Sequence, residues 1–309
     1  MLFRQLEYFV AVARERHFAR AAEACYVSQP ALSAAIVRLE RELSVTLINR
    51  GHNFEGLTPE GERLVAWAKR ILAEHDAFKA EAVAMKSGVA GTLRLGAGPT
   101  ASTTAGLPVS AFCSLHPLAR VKVCSRLASP ELRRQLRDFE LDAAIAHFGQ
   151  ADHDGLEVVP LYEERYVLLV SGDRLAPGTS KITWAEAARL PLALLEPDMR
   201  FREFIDSAFR SCGVTATPQV ETDSVASLYA HVATGTWASV VPHTWLRAIP
   251  ATEGTRAIRL IDPDSTAQIS VAIRAGAPAS VAARSFLNVA AGLMLSEVFE
   301  PDSMSAITA

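Results

Sequence analysis

The chain has 309 residues, which is long for one domain and sufficient for two or three. Apolar residues make up 50% and charged residues 21%, so the composition is globular and excludes disorder as the main state. The net charge is −3, and residues 1–90 hold 12 basic and 11 acidic side chains. Charge alone therefore does not indicate nucleic-acid binding, and such a function has to be argued from motifs.

Hydropathy and cysteine spacing predict where the protein resides. No apolar run approaches the roughly 20 residues that a helix needs to cross a bilayer. The first residues carry an acid early, at Glu7, which is not typical of a signal peptide. Cys25, Cys113, Cys124 and Cys212 are scattered without a CxxC pair, as is usual in a reducing compartment. We expect a cytoplasmic protein that does not associate with membranes.

Residues 1–45 have the apolar spacing of three short helices. Ser28 is a good N-cap for the third helix, and Pro30 lies in its first turn. The tight turn before Ser28 directs this helix outward, and its first residues are short or carry an amide. Such a helix end fits a DNA major groove. The alternative is a three-helix packing unit in which these residues only form a cap.

Specific side chains of this segment are candidates for DNA contacts. Gln29 and Ser33 are expected to read bases, because an amide can bond adenine edges and a hydroxyl can bond bases. Ala and Pro side chains can contact a thymine methyl group, which adds Pro30 to the set. The phosphate-holding or positioning residues are then Ser28, Arg38 and Arg50. Residues 46–57 read as a hairpin that places Arg50 and His52 on the phosphates as a wing.

A long helix is predicted from Thr58-Pro59 to about Lys86. It carries a heptad seam, defined by side chains that alternate in steps of four and three: Leu64, Ala68, Ile71, His75, Phe78, Ala82 and Met85. An isolated helix would expose this seam to water, so the pattern predicts a homodimer through residues 59–87. The alternative is a helix that packs on its own domain.

Beyond residue 91 strands and helices alternate, which predicts an α/β region with a largely parallel sheet and two subdomains. Gly96-Ala97-Gly98-Pro99-Thr100-Ala101 resembles a dinucleotide fingerprint. Residues 91–130 contain no Asp or Glu, however, so the acid that would bind a ribose is missing. We therefore do not favour a nucleotide enzyme.

The same region offers candidates for binding a small anion. Thr100 and Ser102 stand at a helix start, as does Ser129, and hydroxyls with free amides at a helix N-terminus favour anions. His147 ends one strand, and Arg200-Phe201 follow another, which are usual ligand-facing places in α/β lobes. The alternatives are hydroxyls that only cap helices, a histidine bonded to backbone, and a solvated arginine. No GxSxG, HExxH or metal-type Cys/His spacing is present, so we predict no enzyme activity, cofactor or metal.

Motifs over nearly the whole length resemble the LysR-type transcriptional regulators. The matching segments are Leu6-Glu7-Tyr8-Phe9, Phe18-Ala19-Arg20-Ala21-Ala22, Val27-Ser28-Gln29-Pro30-Ala31-Leu32-Ser33, Ile36-x-x-Leu39-Glu40, Leu47-x-x-Arg50, Leu57-Thr58-Pro59-Glu60-Gly61, Gly91-Thr92-Leu93-Arg94-Leu95-Gly96 and Glu140-Leu141-Asp142-Ala143-Ala144-Ile145.

The resemblance implies an α/β protein in three parts. These are a winged helix-turn-helix in residues 1–58, a linker and dimerisation helix in residues 59–87, and a periplasmic-binding-protein-like effector domain in residues 88–309. Lobe I would span about 91–162 and 267–300, and lobe II about 163–266. The implied partners are a double-stranded DNA operator, a small-molecule effector and further copies of the chain, as a dimer or a tetramer.

Cys25 stands where the family usually has a core leucine. One interpretation is a small buried hydrophobe. The other is a redox switch, because an oxidised, larger and polar side chain would spread the helices and release DNA. The chain also resembles actinobacterial LysR-type regulators of oxidative-stress genes. A third alternative, from another class, is a small-molecule-binding protein or metabolic enzyme without a DNA role.

Overall fold

The computed structural model describes residues 1–50, 54–125, 127, 129–171, 174–197, 199–248, 254–276 and 280–299. Of residues 50, 150, 200 and 248 it describes the backbone only. The chain divides into an N-terminal unit, Met1–Gly88 with Arg137–Glu140, and a C-terminal unit, Val89–Leu136 with the chain from Leu141 onward. Within the described ranges, no helix is long and apolar enough to span a membrane.

The N-terminal unit contains four helices and a hairpin in the order expected. Their bounds are α1 (Phe3–Glu15), α2 (Phe18–Ala24), α3 (Gln29–Leu43), β1 (Ile48–Arg50), β2 (Phe54–Leu57) and α4 (Pro59–Ser87). The predicted helix starts are confirmed: Ser28 Oγ accepts the Ala31 N–H, and Thr58 Oγ1 accepts the Gly61 N–H. The predicted turn at 51–53 lies outside the described residues.

One apolar core holds α3 in place. Leu32, Ile36 and Leu39 are fully buried on one stripe of α3. They share this core with Phe9 of α1, and the small Ala21 of α2 is buried with them. Burying a leucine or isoleucine side chain contributes about 1.5–3 kcal/mol. The stripe therefore fixes which face of α3 is left for solvent.

The heptad seam of α4 divides into two parts. Ala68 is buried and Ile71 packs against the core of the N-terminal unit, while the His75 ring stacks on Phe3 with centroids 3.9 Å apart. The first half of the seam thus follows the alternative interpretation and packs on its own domain, because α1 covers it. Phe78 and Met85 in the second half are 75% and 79% exposed.

The C-terminal unit alternates strands and helices. Its elements are β3 (Gly91–Ala97), α5 (Gly106–Leu115), β4 (Ala119–Cys124), α6 (Ser129–Arg137), β5 (Ala143–His147), a 3-10 turn (Gln150–Asp152), β6 (Leu156–Ser171), β7 (Lys181–Thr183), α7 (Trp184–Ala187), β8 (Ala193–Leu195), α8 (Arg200–Ser211), β9 (Val220–Thr222), α9 (Val225–Ala233), β10 (Ser239–Pro242), α10 (Trp245–Ala248), β11 (Thr255–Ile261), β12 (Thr266–Arg274), α11 (Val281–Gly292) and α12 (Leu295–Val298).

The expectation of a largely parallel sheet is wrong. Strands β4, β3 and β5 are parallel, but β12 runs antiparallel to both β5 and β6. Strands β10 and β11 also run antiparallel to β6. The reason is the length of β6, whose 16 residues pass through both lobes. The later strands β10, β11 and β12 all return antiparallel along it.

Two lobes form around β6. Its first half pairs with β12 and contributes Leu161 and Tyr162 to the core of lobe I. Its second half pairs with β10 and β11 and contributes Tyr166 and Leu168 to the core of lobe II. Lobe I further contains β3–β5, α5, α6, α11 and α12, and lobe II contains β7–β11 and α7–α10. The strand is therefore common to both lobes.

The exposed second half of the seam generates a prediction about assembly. Phe78→Glu should convert a dimer into monomers, because it replaces a ring that gains about 1.5–3 kcal/mol on burial with a charge. Analytical ultracentrifugation at micromolar concentration measures this. Lys79→Glu, which changes the exposed neighbour outside the seam, should leave the dimer intact. A wild-type chain that sediments as a monomer would contradict the prediction.

Candidate functional sites

The start of α3 presents polar side chains to solvent. Ser28, Gln29 and Pro30 are exposed, as is Arg38 further along the helix, and Ser33 is half-buried. Ser28 Oγ accepts the Ala31 N–H at 3.4 Å, so this residue also forms the cap that the alternative interpretation describes. Capping and exposure coexist at Ser28, which leaves the helix start open to a ligand that carries acceptors.

A carboxylate fixes the hairpin against α3. Glu40 Oε1 accepts the N–H groups of Leu47 and Ile48, at 2.9 and 3.3 Å. This places β1 beside α3, which is what a wing requires. The Arg50 side chain and all of His52 lie outside the described residues, so their predicted phosphate contacts stay predictions. This role of Glu40 could not be predicted from the sequence, because only the folded hairpin shows its partners.

A cavity of about 280 Å³ opens between the two lobes, and we call it the interlobe cavity. Its described lining residues are Gly98, Pro99, Thr100, Ser129, Ala146, His147, Glu164, Tyr166, Phe201, Glu203, Phe204, Ala267 and Ile269. Four residues that the sequence predicts as effector contacts, Thr100, Ser129, His147 and Phe201, meet here. Ser102 is not among the lining residues, and its hydroxyl donates to the Pro99 carbonyl at 2.8 Å. The Arg200 side chain lies outside the described part of the structure.

Strand ends and helix starts hold the predicted residues in place. Thr100 follows β3 in the turn before α5, which begins only at Gly106, so the helix start expected at Thr100 and Ser102 is wrong. The Thr100 carbonyl accepts the indole N–H of Trp245 from lobe II at 2.9 Å. Ser129 begins α6 and is 6% exposed. His147 ends β5, and its Nδ1 lies 3.1 Å from the Gln268 carbonyl. The histidine is thus bonded to backbone, as the alternative interpretation has it, and still lines the cavity.

Two carboxylates that were not predicted from the sequence also line the interlobe cavity. Glu164 is fully buried, and its Oε1 accepts the Thr244 hydroxyl at 3.1 Å. Burial raises the pKa of Glu164 to about 7, against the lowering influence of the Thr100 and Thr244 hydroxyls. Its Oε2 has no hydrogen-bond partner of acceptable geometry among the described residues. Glu203, in the first turn of α8, is exposed.

Aromatic rings form the apolar wall of the interlobe cavity. The Tyr166 ring lies 4.5 Å from Phe204 and 5.7 Å from Phe201, centroid to centroid. Burial, with the neighbouring Glu164 charge, raises the pKa of Tyr166 and keeps its phenol neutral. A ligand here would meet apolar surface together with a few polar groups, which is the usual make-up of small-molecule sites.

The described lining of the interlobe cavity contains no cysteine. Cys25 lies at the end of α2, is half-buried and packs against the core of the N-terminal unit. Burial raises the pKa of its thiol, although Arg14 acts in the opposite direction. A higher pKa leaves less of the reactive thiolate at neutral pH. Within the described residues, no group of three or more His, Cys, Asp or Glu side chains could hold a metal ion.

Two family models match the two units. Residues 3–62 match the bacterial regulatory helix-turn-helix protein, lysR family, and residues 86–294 match the LysR substrate binding domain. The chain belongs to the LysR family of transcription regulators. As a member of this family it is a DNA-binding regulator that binds operator DNA and a small effector and forms oligomers. The winged helix-turn-helix and the two-lobed effector domain expected from the resemblance are confirmed.

Similar LysR proteins include regulators named for hydrogen peroxide. A "Probable hydrogen peroxide-inducible genes activator" of Streptomyces viridosporus is 33% identical over 283 residues, 88% of each chain. The "DNA-binding transcriptional dual regulator OxyR" of Escherichia coli K12 is 28% identical, over 90% of this chain and 91% of its own. The structure of a full-length OxyR variant from Pseudomonas aeruginosa has a TM-score of 0.74 at 28% identity, covering 97% of this chain and 100% of that one. The resemblance to oxidative-stress regulators, including an actinobacterial one, is thus confirmed.

The buried Glu164 predicts a pH-dependent stability. Its pKa is raised in the folded state, so the folded chain holds the proton more tightly than the unfolded chain does. The contribution of Glu164 to the free energy of unfolding is therefore fully present below pH 4.5 and is lost as the pH rises through about 7. Glu164→Gln cannot lose a proton, so it should be more stable than wild type at pH 8, by up to about 3 kcal/mol.

Urea unfolding of the two proteins between about pH 5 and pH 8 measures this difference. The difference in free energy of unfolding between the two proteins should narrow as the pH falls through this range. Glu203→Gln, at an exposed carboxylate, is the control, and its free energy of unfolding should follow that of wild type. A difference for Glu164→Gln that stayed constant with pH, or that widened in acid, would contradict the assignment.

Proposed function

We propose that this LysR regulator works in the cytoplasm without catalysing a reaction, and that occupancy of the interlobe cavity controls how it binds or activates its operator. One observation supports this most. The chain combines an exposed, capped helix start at Ser28–Pro30 with a cavity lined by residues of both lobes. A small molecule in such a cavity contacts both lobes and favours the arrangement it fits, which is a population shift.

The residues proposed to read DNA bases are chosen from the exposed side chains of α3. Gln29 is exposed at the N-terminus of α3, where an amide can bond the edge of an adenine, and Ser33 lies four residues further along the helix. Pro30 beside them can contact a thymine methyl. Ser28, Arg38 and Arg50 are assigned to phosphates and to positioning, which fixes the register without reading sequence.

The effector is proposed to carry an anionic group. The N-terminus of α6, at Ser129, is the positive end of a helix dipole, and Ser129 lines the cavity. Thr100 adds a hydroxyl in the same cavity, and His147 with Phe201 completes the set that the sequence predicts there. Ser102 and Arg200 stay predictions without a described contact to the cavity.

DNA binding tests the main assignment. Gln29→Ala should weaken binding to the specific site by about 1–3 kcal/mol and leave non-specific binding nearly unchanged, because only the base contact is lost. Arg38→Ala and Arg50→Ala should weaken binding to all DNA sequences alike and make the affinity less dependent on salt, because phosphate contacts release counterions.

The operator is first identified from genomic fragments that the protein retains, and binding is then measured by fluorescence anisotropy over a salt series. Gln219→Ala, at an exposed glutamine of the C-terminal unit, is the matched control. Native affinity for the operator in all three DNA variants would show that another surface reads the DNA.

A second candidate is thiol-based control through Cys25, and the names of the peroxide-inducible relatives favour it. The half-buried position between α2 and α3 means that an enlarged, polar side chain would disturb the packing of α3. The raised pKa of the thiol opposes this candidate, because it slows the reaction with peroxide.

Mild peroxide treatment separates these two possibilities. If Cys25 is the switch, wild type and the Cys113/Cys124 double serine variant should lose operator binding, while Cys25→Ser keeps it. Operator binding is measured before and after treatment, with reduction by dithiothreitol as the reversal. Equal sensitivity in all three proteins, or none in any, would return Cys25 to a packing role.

A further inference from the structure

The main chain of Leu47 is the point where α3, the β1–β2 hairpin and α4 meet. Its N–H donates to Glu40 Oε1 on α3 at 2.9 Å. Its carbonyl accepts the N–H of Thr58, the N-cap of α4, at 3.0 Å. Both main-chain polar groups of one buried residue are therefore bonded to the helices that precede and follow the hairpin. We call Leu47 with Glu40, Thr58 and Gly61 the Leu47 junction.

The first turn of α4 lies directly against this main chain. A Cβ added at Gly61 would lie 2.0 Å from the Leu47 carbonyl oxygen, far closer than real Cβ atoms come, so the approach requires glycine. Thr58 Oγ1 donates to the Thr46 carbonyl at 2.7 Å and accepts the Gly61 N–H at 2.9 Å. Because close-packed main chain leaves no room for slip, a movement of the first turn of α4 also has to move the Leu47 carbonyl.

Glu40 makes the corresponding contact from α3. Its Oε1 accepts the Ile48 N–H at 3.3 Å in addition to that of Leu47. Hydrogen bonds to a carboxylate are stronger than those to a neutral acceptor. Glu40 follows the fully buried Leu39 and is itself half-buried, so the core fixes its position along α3. One side chain thus connects the hairpin to α3, and another connects it to α4.

We propose that the Leu47 junction transmits the position of α4 to the DNA-binding surface, which is the start of α3 with the hairpin. Glu40 and Thr58 are positioning residues that set the hairpin against α3. Neither is assigned a DNA contact, and a carboxylate beside phosphates would be repelled by them. The proposal rests on the proposed function in one respect, the assignment of the hairpin to phosphates. It goes beyond that function by naming the residues that make α4 and the hairpin move together.

Operator affinity of full-length variants tests the role of Glu40. Glu40→Leu should lower the affinity about tenfold and lower the slope of log K against log salt by about one, because the hairpin no longer meets the phosphates in register. This loss has the opposite sign to the electrostatic effect, since removing a negative charge from a DNA-binding protein by itself tightens binding. Glu40→Gln should bind like wild type, because its amide oxygen accepts the same two N–H groups.

Glu42→Leu is the matched control on the same helix. It removes the same charge at an exposed position, where the carboxylate bonds to the terminal amino group of Met1, outside the Leu47 junction. It should bind the operator at least as tightly as wild type, with an unchanged salt slope. Thermal unfolding of each variant is recorded beside the affinity. A purely structural role of Glu40 would lower the melting temperature and leave the affinity and salt slope of the folded protein unchanged.

Thr58 tests the junction from the side of α4, and it decides the proposal even if Glu40→Leu does not fold. Thr58→Val removes the hydrogen bonds of Oγ1 and keeps the shape of the side chain, so it should weaken operator binding, while Thr58→Ser should bind like wild type. In the double variant with Glu40→Leu, the loss should be smaller than the product of the two single losses, because both act on the main chain of Leu47. Native affinity in Thr58→Val would overturn the junction.

The outcomes separate this inference from the function on which it rests. If Arg50→Ala lowers the salt dependence while Glu40→Leu binds like Glu42→Leu, the phosphate assignment stands and the junction is wrong. If Arg50→Ala leaves the salt dependence unchanged while Glu40→Leu weakens binding and Glu40→Gln restores it, the assignment of Arg50 is wrong and the junction stands. Equal losses in Glu40→Gln and Glu40→Leu would overturn the role of the two hydrogen bonds. Losses in Glu40→Leu and Thr58→Val that simply multiply would overturn their connection through Leu47.

Discussion

Both lobes of the C-terminal unit hydrogen-bond to one continuous strand, β6, and this connection determines where a ligand can act. The first half of β6 pairs with β12 and the second half with β10 and β11. At the transition the lobes also share side-chain contacts: Trp245 of lobe II donates to the Thr100 carbonyl of lobe I, and Thr244 donates to Glu164. A change in the angle between the lobes has to bend β6 near Glu164 and rearrange these few hydrogen bonds. A hinge of this kind is a small set of residues that absorbs the motion.

The sequence predicts local and edge features of this architecture better than its buried centre. Ser28 with Pro30 and Thr58 with Pro59 mark helix starts, because capping depends on the neighbouring few residues. Thr100, Ser129 and His147 come together because strands that share a sheet end at common edges. The long β6 was missed because charges and a proline interrupt its apolar pattern at 160–165. Glu164 was missed for a related reason: strand alternation places it on the face of Tyr162 and Tyr166, and only the return of β12 and the lobe II elements buries that face.

In the N-terminal unit the two halves of one long helix, α4, have different roles. The first half of α4 packs on α1, in the core that also fixes the buried stripe of α3. The second half carries the exposed Phe78 and Met85. A partner bound to the second half would be connected through continuous helix to the core that orients α3. The spacing of two reading helices in a dimer then depends on the stiffness of α4, which has 29 residues and Gly61 near its start as its one described glycine. Half-site spacing in the operator is a direct consequence of such a fixed separation.

The buried Glu164 also affects the balance between arrangements of the two lobes. The folded chain keeps a buried carboxyl group whose pKa is raised to about 7, beside a Tyr166 phenol whose pKa is raised as well. Loss of the Glu164 proton as the pH rises therefore destabilises an arrangement that buries the group and has little effect on one in which water reaches it. A ligand of the interlobe cavity is subject to the same rule, because it can shift an equilibrium only by its difference in affinity for the two states. Protonation and ligand binding then act on the same part of the fold, since Glu164 lies where β6 passes from its pairing with β12 to its pairing with β10.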